Sequence, residues 1–196
     1  MLRTTSLIGF GSGTSGGLGP LTDITASMWG GLTSKYTLTN NDVAKTGSAS
    51  SLFYNIRIIN SAPVLDGDFV WQYTQIGNMG GNTSSSYGMY DITEDSTFSS
   101  TAFEQGLNSM TNSYWFMSGT GTTIKTQEAD TELTTGISFS VNDQFKWQRT
   151  GTTLTLSIAG SVVQTWTGTS ESLRFCMSGF HTPANINDID NVQFQN

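Results

Sequence analysis

The segment 145–166, FKWQRTGTTLTLSIAGSVVQTW, determines the fold class. Apolar and polar residues alternate in it, so that Phe145 and Trp147 share one face of an extended chain. After a Thr-Gly turn, Leu154 and Leu156 repeat this alternation, and an Ala-Gly turn leads into a third extended run. Adjacent strands that each offer one apolar face pair over a common core. The segment therefore predicts three antiparallel strands in one layer of a two-sheet sandwich.

Similar runs recur along most of the chain, so the predicted fold class is all-β. In 63–77, for example, Phe69, Trp71 and Tyr73 fall on one face, and Gly, Asn and Asp turns separate the runs. Only segment 101–110 could hold a helical turn or two. About a dozen strands at this spacing are typical of a β-sandwich. The other predicted strands lie within 35–46, 51–60, 86–93, 113–119, 122–127, 136–141, 172–180 and 189–195.

The composition excludes two classes of partner. Charged residues are only 12% of the 196 residues, and most of the polarity comes from 30 Thr, 25 Ser and 22 Gly. The β-branched Thr favours strands. The formal net charge of −7 argues against attraction to nucleic acid or to an anionic membrane. No apolar run approaches the roughly 20 residues that cross a bilayer, so we expect no membrane insertion.

Residues 1–32 differ from the rest of the chain. The segment 8–23, IGFGSGTSGGLGPLTD, is rich in Gly, and its apolar residues do not recur at the spacing of a strand or a helix. Residues 1–32 are predicted to form an N-terminal arm that docks on neighbouring subunits, or alternatively one that lies along its own sandwich. Residues 33–196 then form the sandwich domain. The first residues lack the apolar core of a secretory signal, so we expect synthesis and folding in a cytoplasm.

The hairpin pattern resembles that of the concanavalin A-like jelly rolls, a superfamily that includes laminin-G-like and SPRY modules. The residues that carry the resemblance are Asp143, Phe145, the turn 149–151, Leu154, Leu156, Gly160 and Val162, with LTNNDVAKT (38–46), GDFVWQYTQIG (67–77), SYGMYDITEDSTF (86–98) and INDIDNVQF (186–194). The resemblance implies a jelly-roll sandwich of two large antiparallel sheets, with ligands held on a concave face or in rim loops. Members include plant lectins, glucanases, and surface proteins of phages and viruses, so the fold leaves the function open.

The motif EADTE offers the one suggestion of catalysis. Its acids Glu128, Asp130 and Glu132 alternate, and alternate side chains of a strand face the same way. Retaining glycoside hydrolysis needs two carboxyl groups about 5–5.5 Å apart. The resembled glucanases, however, carry bulky apolar residues between their acids, where this chain has Ala129 and Thr131. The motif therefore favours a solvated acidic loop, and we expect no enzyme activity and no cofactor.

Two groups of oxygen donors are of the kind that calcium binds, but neither has the spacing of a known calcium motif. The groups are Asp91, Glu94 and Asp95, and Asn187, Asp188 and Asp190. Turn chemistry accounts for both, so we predict no metal site. His181 has no Ser or Asp partner at a catalytic spacing. Cys176 lies in an apolar run and is predicted to be a buried, inert thiol.

The aromatic residues are numerous enough for a sugar-stacking platform, although most occupy alternating strand positions that are expected in the core. Tyr87 and Tyr114 instead border loops rich in Ser, Gly and Asn. Asn82 and Asn112 lie in loops of the same kind, where their amides could bind sugar hydroxyls. These four residues are the predicted ligand-binding residues.

Three functions fit these observations. The preferred one is a virion structural protein, a phage capsid-decoration or fibre component on the virion surface, whose outward-facing sandwich can bind surface glycans. Residues 1–32 would then contact other copies and other virion proteins. The low charge, the Gly-rich arm and the lack of a signal sequence favour it. The first alternative is a soluble glycan-binding lectin, and the second is a glycoside hydrolase that uses the EADTE carboxylates.

Overall fold

The computed structural model describes residues 18–31, 36–45, 53–58, 64–77, 79, 85–96, 107, 110–118, 122–180 and 188–196. In these residues the chain forms strands and two short 3-10 helices, Ala26–Met28 and Ile92–Glu94. The strands are β1 (Thr22–Asp23), β2 (Trp29–Gly31), β3 (Tyr36–Thr39), β4 (Asp42–Lys45), β5 (Phe53–Ile58), β6 (Phe69–Gln75), β7 (Ser85–Asp91), β8 (Ser113–Ser118), β9 (Thr123–Glu128), β10 (Thr131–Ser138), β11 (Gln144–Thr150), β12 (Thr153–Ile158), β13 (Ser161–Thr167), β14 (Leu173–Phe180) and β15 (Ile189–Gln195).

The strands form two antiparallel sheets, which confirms the predicted two-sheet jelly-roll sandwich. The eight-stranded sheet has the order β13-β12-β11-β6-β15-β4-β3, with β1 paired to β15. The seven-stranded sheet has the order β10-β9-β8-β7-β14-β5-β2. Each sheet contains strands from both halves of the chain.

The opening segment folds as predicted, into β11, β12 and β13. Trp147 pairs with Leu156 in the β11–β12 register, and Leu154 pairs with Trp166 in the β12–β13 register. The turn between β12 and β13 is formed by Ala159 and Gly160, both with positive φ (48° and 81°). Two consecutive residues of this kind make a tight hairpin turn whose twist matches that of the strands.

The core between the sheets is aromatic. Phe145 and Trp147 are fully buried, as the alternation predicted. Tyr73 stacks on Phe145 with centroids 5.5 Å apart, and Trp147 stacks on Trp166 at 5.3 Å. Offset stacks of this kind add to the free energy gained by burying the rings. Cys176 is buried as predicted, although outside this core.

The predicted arm boundary at residue 32 requires a correction. β1 pairs with β15, β2 pairs with β5, and the side chains of Ile24 and Trp29 lie in the core. Residues 22–31 therefore belong to the sandwich, because two apolar side chains and two short strand pairings hold them there. Residues 1–17, which contain most of the Gly-rich sequence, lie outside the described residues.

Two other sequence-based predictions are met in part or lie outside the described chain. The strand predicted within 136–141 begins earlier, at Thr131, and ends at Ser138. The possible helical turn at 101–110 falls outside the described residues except at Leu107 and Met110. No helix in the described part of the chain is long and apolar enough to span a membrane.

Candidate functional site

The outer face of the seven-stranded sheet carries a second, smaller cluster of buried side chains. In β7, β8 and β14, alternate residues point to opposite sides of the sheet. One set joins the core between the sheets and the other set lies on the outer face. The outer cluster contains Tyr90, Leu107, Met110, Trp115 and Cys176, with Met117 packed against it.

Two rows of residues run across this face. Arg174, Tyr90 and Ser113 are neighbours in register across β14, β7 and β8. In the next row Trp115 pairs with Gly88, where a Cβ atom would stand 2.3 Å from Cβ of Trp115. Trp115 can therefore pack in this position only because glycine has no side chain at residue 88. Its indole nitrogen donates a hydrogen bond to the carbonyl oxygen of Ala129 at 2.9 Å, which fixes the ring.

A partly exposed ion pair lies beside this cluster. Tyr90 Oη donates to Asp95 Oδ1 at 2.8 Å, and Nη1 of Arg174 donates to Asp95 Oδ2. The side chains of Asp95 and Arg174 are 33% and 20% exposed. Tyr90 itself is fully buried. The carboxylate is thus held by two protein donors while part of it, and part of the guanidinium, faces solvent.

Glu94 connects this site by hydrogen bonds to the residues that precede β8. Its two carboxylate oxygens accept hydrogen bonds from the backbone N–H groups of Thr111 and Asn112, each at 2.9 Å. The preceding Asp91 caps the 3-10 helix through the N–H of Thr93 and accepts a bond from the Asn112 amide at 3.3 Å. These contacts fix the short helix whose last residue precedes Asp95. Asp91 and Glu94, which the sequence analysis considered as calcium ligands, are therefore engaged in hydrogen bonds within the protein.

The predicted ligand-binding residues do not form one site. Tyr87 is fully buried and stacks on Phe116 with centroids 5.3 Å apart, so its ring offers no surface to a ligand. Tyr114 is 4% exposed, and its hydroxyl donates to Glu171 Oε2 at 3.2 Å. Both tyrosines face inward because strand alternation continues up to the loop, which corrects the prediction that they line one. Asn82 lies outside the described residues.

The fourth predicted residue, Asn112, is half-buried at the rim, next to Glu94 and Asp91. Of the three predicted residues that the structure describes, it is the one that is not buried. Its role in ligand binding stays a prediction.

The EADTE motif forms a hairpin turn and not a strand face. Glu128 ends β9, Ala129 takes a positive φ of 47°, and Thr131 begins β10 opposite Glu128. Beyond the turn, Glu132 pairs with Lys125 at 3.0 Å. Glu128 therefore lies on β9, Asp130 in the turn and Glu132 on β10, and all three are exposed. This confirms the interpretation as a solvated acidic loop and removes the geometric basis for the hydrolase alternative.

No group of three His, Cys, Asp or Glu side chains in the described residues could hold a metal ion. Asp190 lies close enough to other acids that its pKa is raised, first by burial and then by the charges of Asp42 and Asp188. His181 and Asn187 fall outside the described residues.

Sequence reasoning missed Arg174. In LRFCMSGF (173–180), Leu173, Phe175 and Met177 alternate with Arg174 and Cys176, so the strand pattern placed the arginine opposite the core. What the pattern could not provide was the carboxylate that meets it, because Asp95 is 79 residues away in sequence.

Comparison with known proteins extends this description of the fold. No family model matches the chain, and no curated protein matches it in sequence. Among solved structures, the VIP36 exoplasmic/lumenal domain in its Ca²⁺/Man3GlcNAc-bound form is 13% identical, over 86% of this chain and 82% of that chain, with a TM-score of 0.57. Its Ca²⁺-bound form is 12% identical, over 88% and 85%, with a TM-score of 0.58. These likenesses agree with the two-sheet jelly-roll sandwich described above.

A third likeness supports the same conclusion. A Bacillus subtilis protein of unknown function with a galectin-like fold is 8% identical, over 89% of this chain and 88% of that chain, with a TM-score of 0.51. The likeness in fold extends over most of both chains, although few residues are identical. At these identities the likeness concerns the fold alone.

Proposed function

We propose that this protein binds carbohydrate on the outer face of its seven-stranded sheet, at Asp95 and Arg174. The observation that carries the proposal is the partly exposed ion pair, which is held from below by the buried Tyr90. The pair adjoins the outer-face hydrophobic cluster through Tyr90, and this cluster also contains Trp115. The acceptor on Asp95, at the end of the short helix, and the donor on Arg174 of β14 lie side by side and can bind the hydroxyl groups of a neutral ligand.

The chemistry of the pair suits sugar hydroxyls. A hydroxyl both donates and accepts a hydrogen bond, a carboxylate accepts, and a guanidinium offers five N–H donors in a planar fork. Hydrogen bonds to charged groups are about twice as strong as those between neutral groups. Because Tyr90 and Glu94 already fix the local geometry, binding would cost little side-chain entropy.

The fold gives independent support. The VIP36 domain, which shares it, is known in forms bound to Man3GlcNAc and to other mannose ligands. That protein's ligands do not transfer to this chain at 13% identity, and the proposal names no particular sugar. It assigns binding and no catalysis.

The test is a glycan array followed by calorimetry with the best ligand. Asp95→Asn keeps the size of the side chain and Arg174→Gln shortens it. Both remove the charge, and each is expected to weaken binding at least about tenfold, or 1.4 kcal/mol. Lys146→Gln, on the outer face of the opposite sheet, is the matched control and should bind normally. Absence of binding to every glycan on the array, or unchanged affinity in both variants, would overturn the proposal.

We also propose a setting for this activity, the surface of a virion, where the protein decorates a capsid or a fibre. The low charge, the hydroxyl-rich composition and the Gly-rich residues 1–17 support it. In this setting those residues contact other copies and other virion proteins, and the sandwich faces outward toward host glycans.

Native particles would test the setting. An antibody against the sandwich should label intact virions, and deletion of residues 1–17 should abolish incorporation without unfolding the sandwich. A protein that is found only in the soluble fraction of producing cells would instead favour the soluble lectin.

A further inference from the structure

Asp66 and Gly67 form the one Asp-Gly sequence of the chain, in the loop that leads into β6. The backbone N–H of Gly67 donates a hydrogen bond to Oδ1 of Asp66 at 2.9 Å, so this nitrogen lies against the carboxyl group of the residue before it. Reacting groups are poised when their atoms are about 3–3.5 Å apart. The side chain of Asp66 is also 73% exposed, so water can enter and leave.

Glycine keeps the space around this nitrogen open. Gly67 has a positive φ of 56°, which residues with a side chain seldom adopt. A Cβ atom at this position would have no neighbour within 4 Å. The carboxyl group of Asp66 therefore reaches the nitrogen without a side chain in its way.

We propose that Asp66 converts spontaneously to isoaspartate. The nitrogen of Gly67 attacks Cγ of Asp66, and the new N–Cγ bond forms as the bond from Cγ to the carboxyl hydroxyl group breaks. That hydroxyl group leaves with the amide proton as water, which gives a five-membered succinimide. Water then adds to one of the two carbonyl carbons of the ring. Addition at Cγ restores aspartate, whereas addition at the α-carbonyl carbon breaks the original peptide bond and leaves isoaspartate.

Asp68 lies in the same loop and differs in two respects. Its Oδ1 accepts a hydrogen bond from the backbone N–H of Gly151 at 2.7 Å, which directs the carboxyl group toward the turn between β11 and β12. The residue that follows it is the buried Phe69 and not a glycine. We therefore expect isomerisation at Asp66 and not at Asp68.

The modification acts on the core through Arg149, which is 1% exposed. Its guanidinium donates to the carbonyl oxygens on both sides of Asp66, those of Leu65 at 3.3 Å and of Gly67 at 2.5 Å. Leu65 is held in turn by two backbone hydrogen bonds to Leu173, each at 3.0 Å. In isoaspartate the backbone runs through Cβ and Cγ, so the chain between the two carbonyl groups is one atom longer. At least one of these acceptors then moves away from the buried guanidinium, which destabilises the fold.

Isoaspartate can be measured in purified protein that is held for several weeks at mildly acidic pH and physiological temperature. Protein isoaspartyl methyltransferase labels the product, and mass spectrometry with electron-transfer fragmentation locates it. Label should accumulate at Asp66 as fast in the folded protein as in a synthetic peptide of residues 62–71. Asp66→Glu should abolish it, because the longer side chain requires a six-membered ring that closes slowly. Asp68→Glu is the matched control and should leave the label unchanged.

A second measurement follows the effect on stability. After the incubation, the wild-type fraction that carries isoaspartate should unfold at a lower urea concentration than fresh protein, whereas incubated Asp66→Glu should keep its initial midpoint. Three results would each overturn the proposal. They are label that appears in the peptide but not in the folded protein, label that persists in Asp66→Glu, and a modified fraction whose urea midpoint is unchanged.

Discussion

The guanidinium of Arg149 lies over the ring of Phe69, with its central carbon 5.0 Å from the ring centroid. Arg149 faces inward at the end of β11 and is 1% exposed. It donates to the carbonyl oxygens of Gly67 at 2.5 Å, of Leu65 at 3.3 Å and of Glu171. The nearest carboxylate, Asp66, is 3.8 Å away and exposed. Burial lowers the pKa of Arg149, and the negative charges of Asp66, Glu171 and Asp68 partly oppose that shift.

Arg149→Met is expected to destabilise the fold by about 2–4 kcal/mol, because three carbonyl oxygens from two loops lose their donor. Urea unfolding would measure the loss. Lys146→Met, three residues earlier on the outer face, should change the free energy of unfolding by less than about 0.5 kcal/mol. Equal effects at the two positions would contradict the role given to Arg149.

Gly88→Ala is expected to cost about 3 kcal/mol or more, or to prevent folding. Its Cβ atom would stand 2.3 Å from Cβ of Trp115 and 2.6 Å from the carbonyl oxygen of Tyr114, and neither can move without displacing β8. Gly19→Ala, with its nearest atom at 3.8 Å, is the control. Thermal unfolding of both variants would compare them, and a wild-type melting temperature for Gly88→Ala would refute the packing described for Trp115.

The stability of the protein should fall above about pH 10. Burial raises the pKa of Tyr73, Tyr87 and Tyr114 above the ordinary value of tyrosine. Above that value the unfolded chain loses protons that the folded chain retains, so the free energy of unfolding decreases as pH rises. Urea midpoints measured from pH 8 to about 11.5 should show this decline. Tyr114→Phe should reduce its slope, and a midpoint that stays constant over this range would be the contrary result.

The sequence predicts the sandwich well because strand alternation is local. Phe145, Trp147, Leu154 and Leu156 are all fully buried, as their spacing required. The same alternation within β7 and β8 places Tyr87 and Tyr114 in the core. The prediction that they contact a ligand relied instead on their proximity to loops. The candidate site was less accessible to prediction. Asp95 and Arg174 meet only because β7 and β14 are neighbours in the sheet. The residues of a strand do not show which other strand it will pair with.

Glu94→Ala should loosen the short helix that precedes Asp95. Two backbone N–H groups, of Thr111 and Asn112, lose their acceptor, which costs about 1–3 kcal/mol. Because Asp95 is then less well positioned, glycan affinity should also fall. Glu132→Ala, which removes an exposed ion pair, is the control and should change both quantities little. Full affinity in Glu94→Ala would show that the hydrogen bonds of Glu94 to Thr111 and Asn112 have no part in binding.

Nuclear magnetic resonance titration with a bound glycan tests the central claim most directly. The account predicts that shifts are concentrated at the backbone amides of Asp95, Asn112 and Arg174 and at the indole N–H of Trp115. The amides of Lys146 and Gln148, on the opposite sheet, should stay unchanged. Shifts confined to the eight-stranded sheet, or no shift at any residue with saturating ligand, would contradict it.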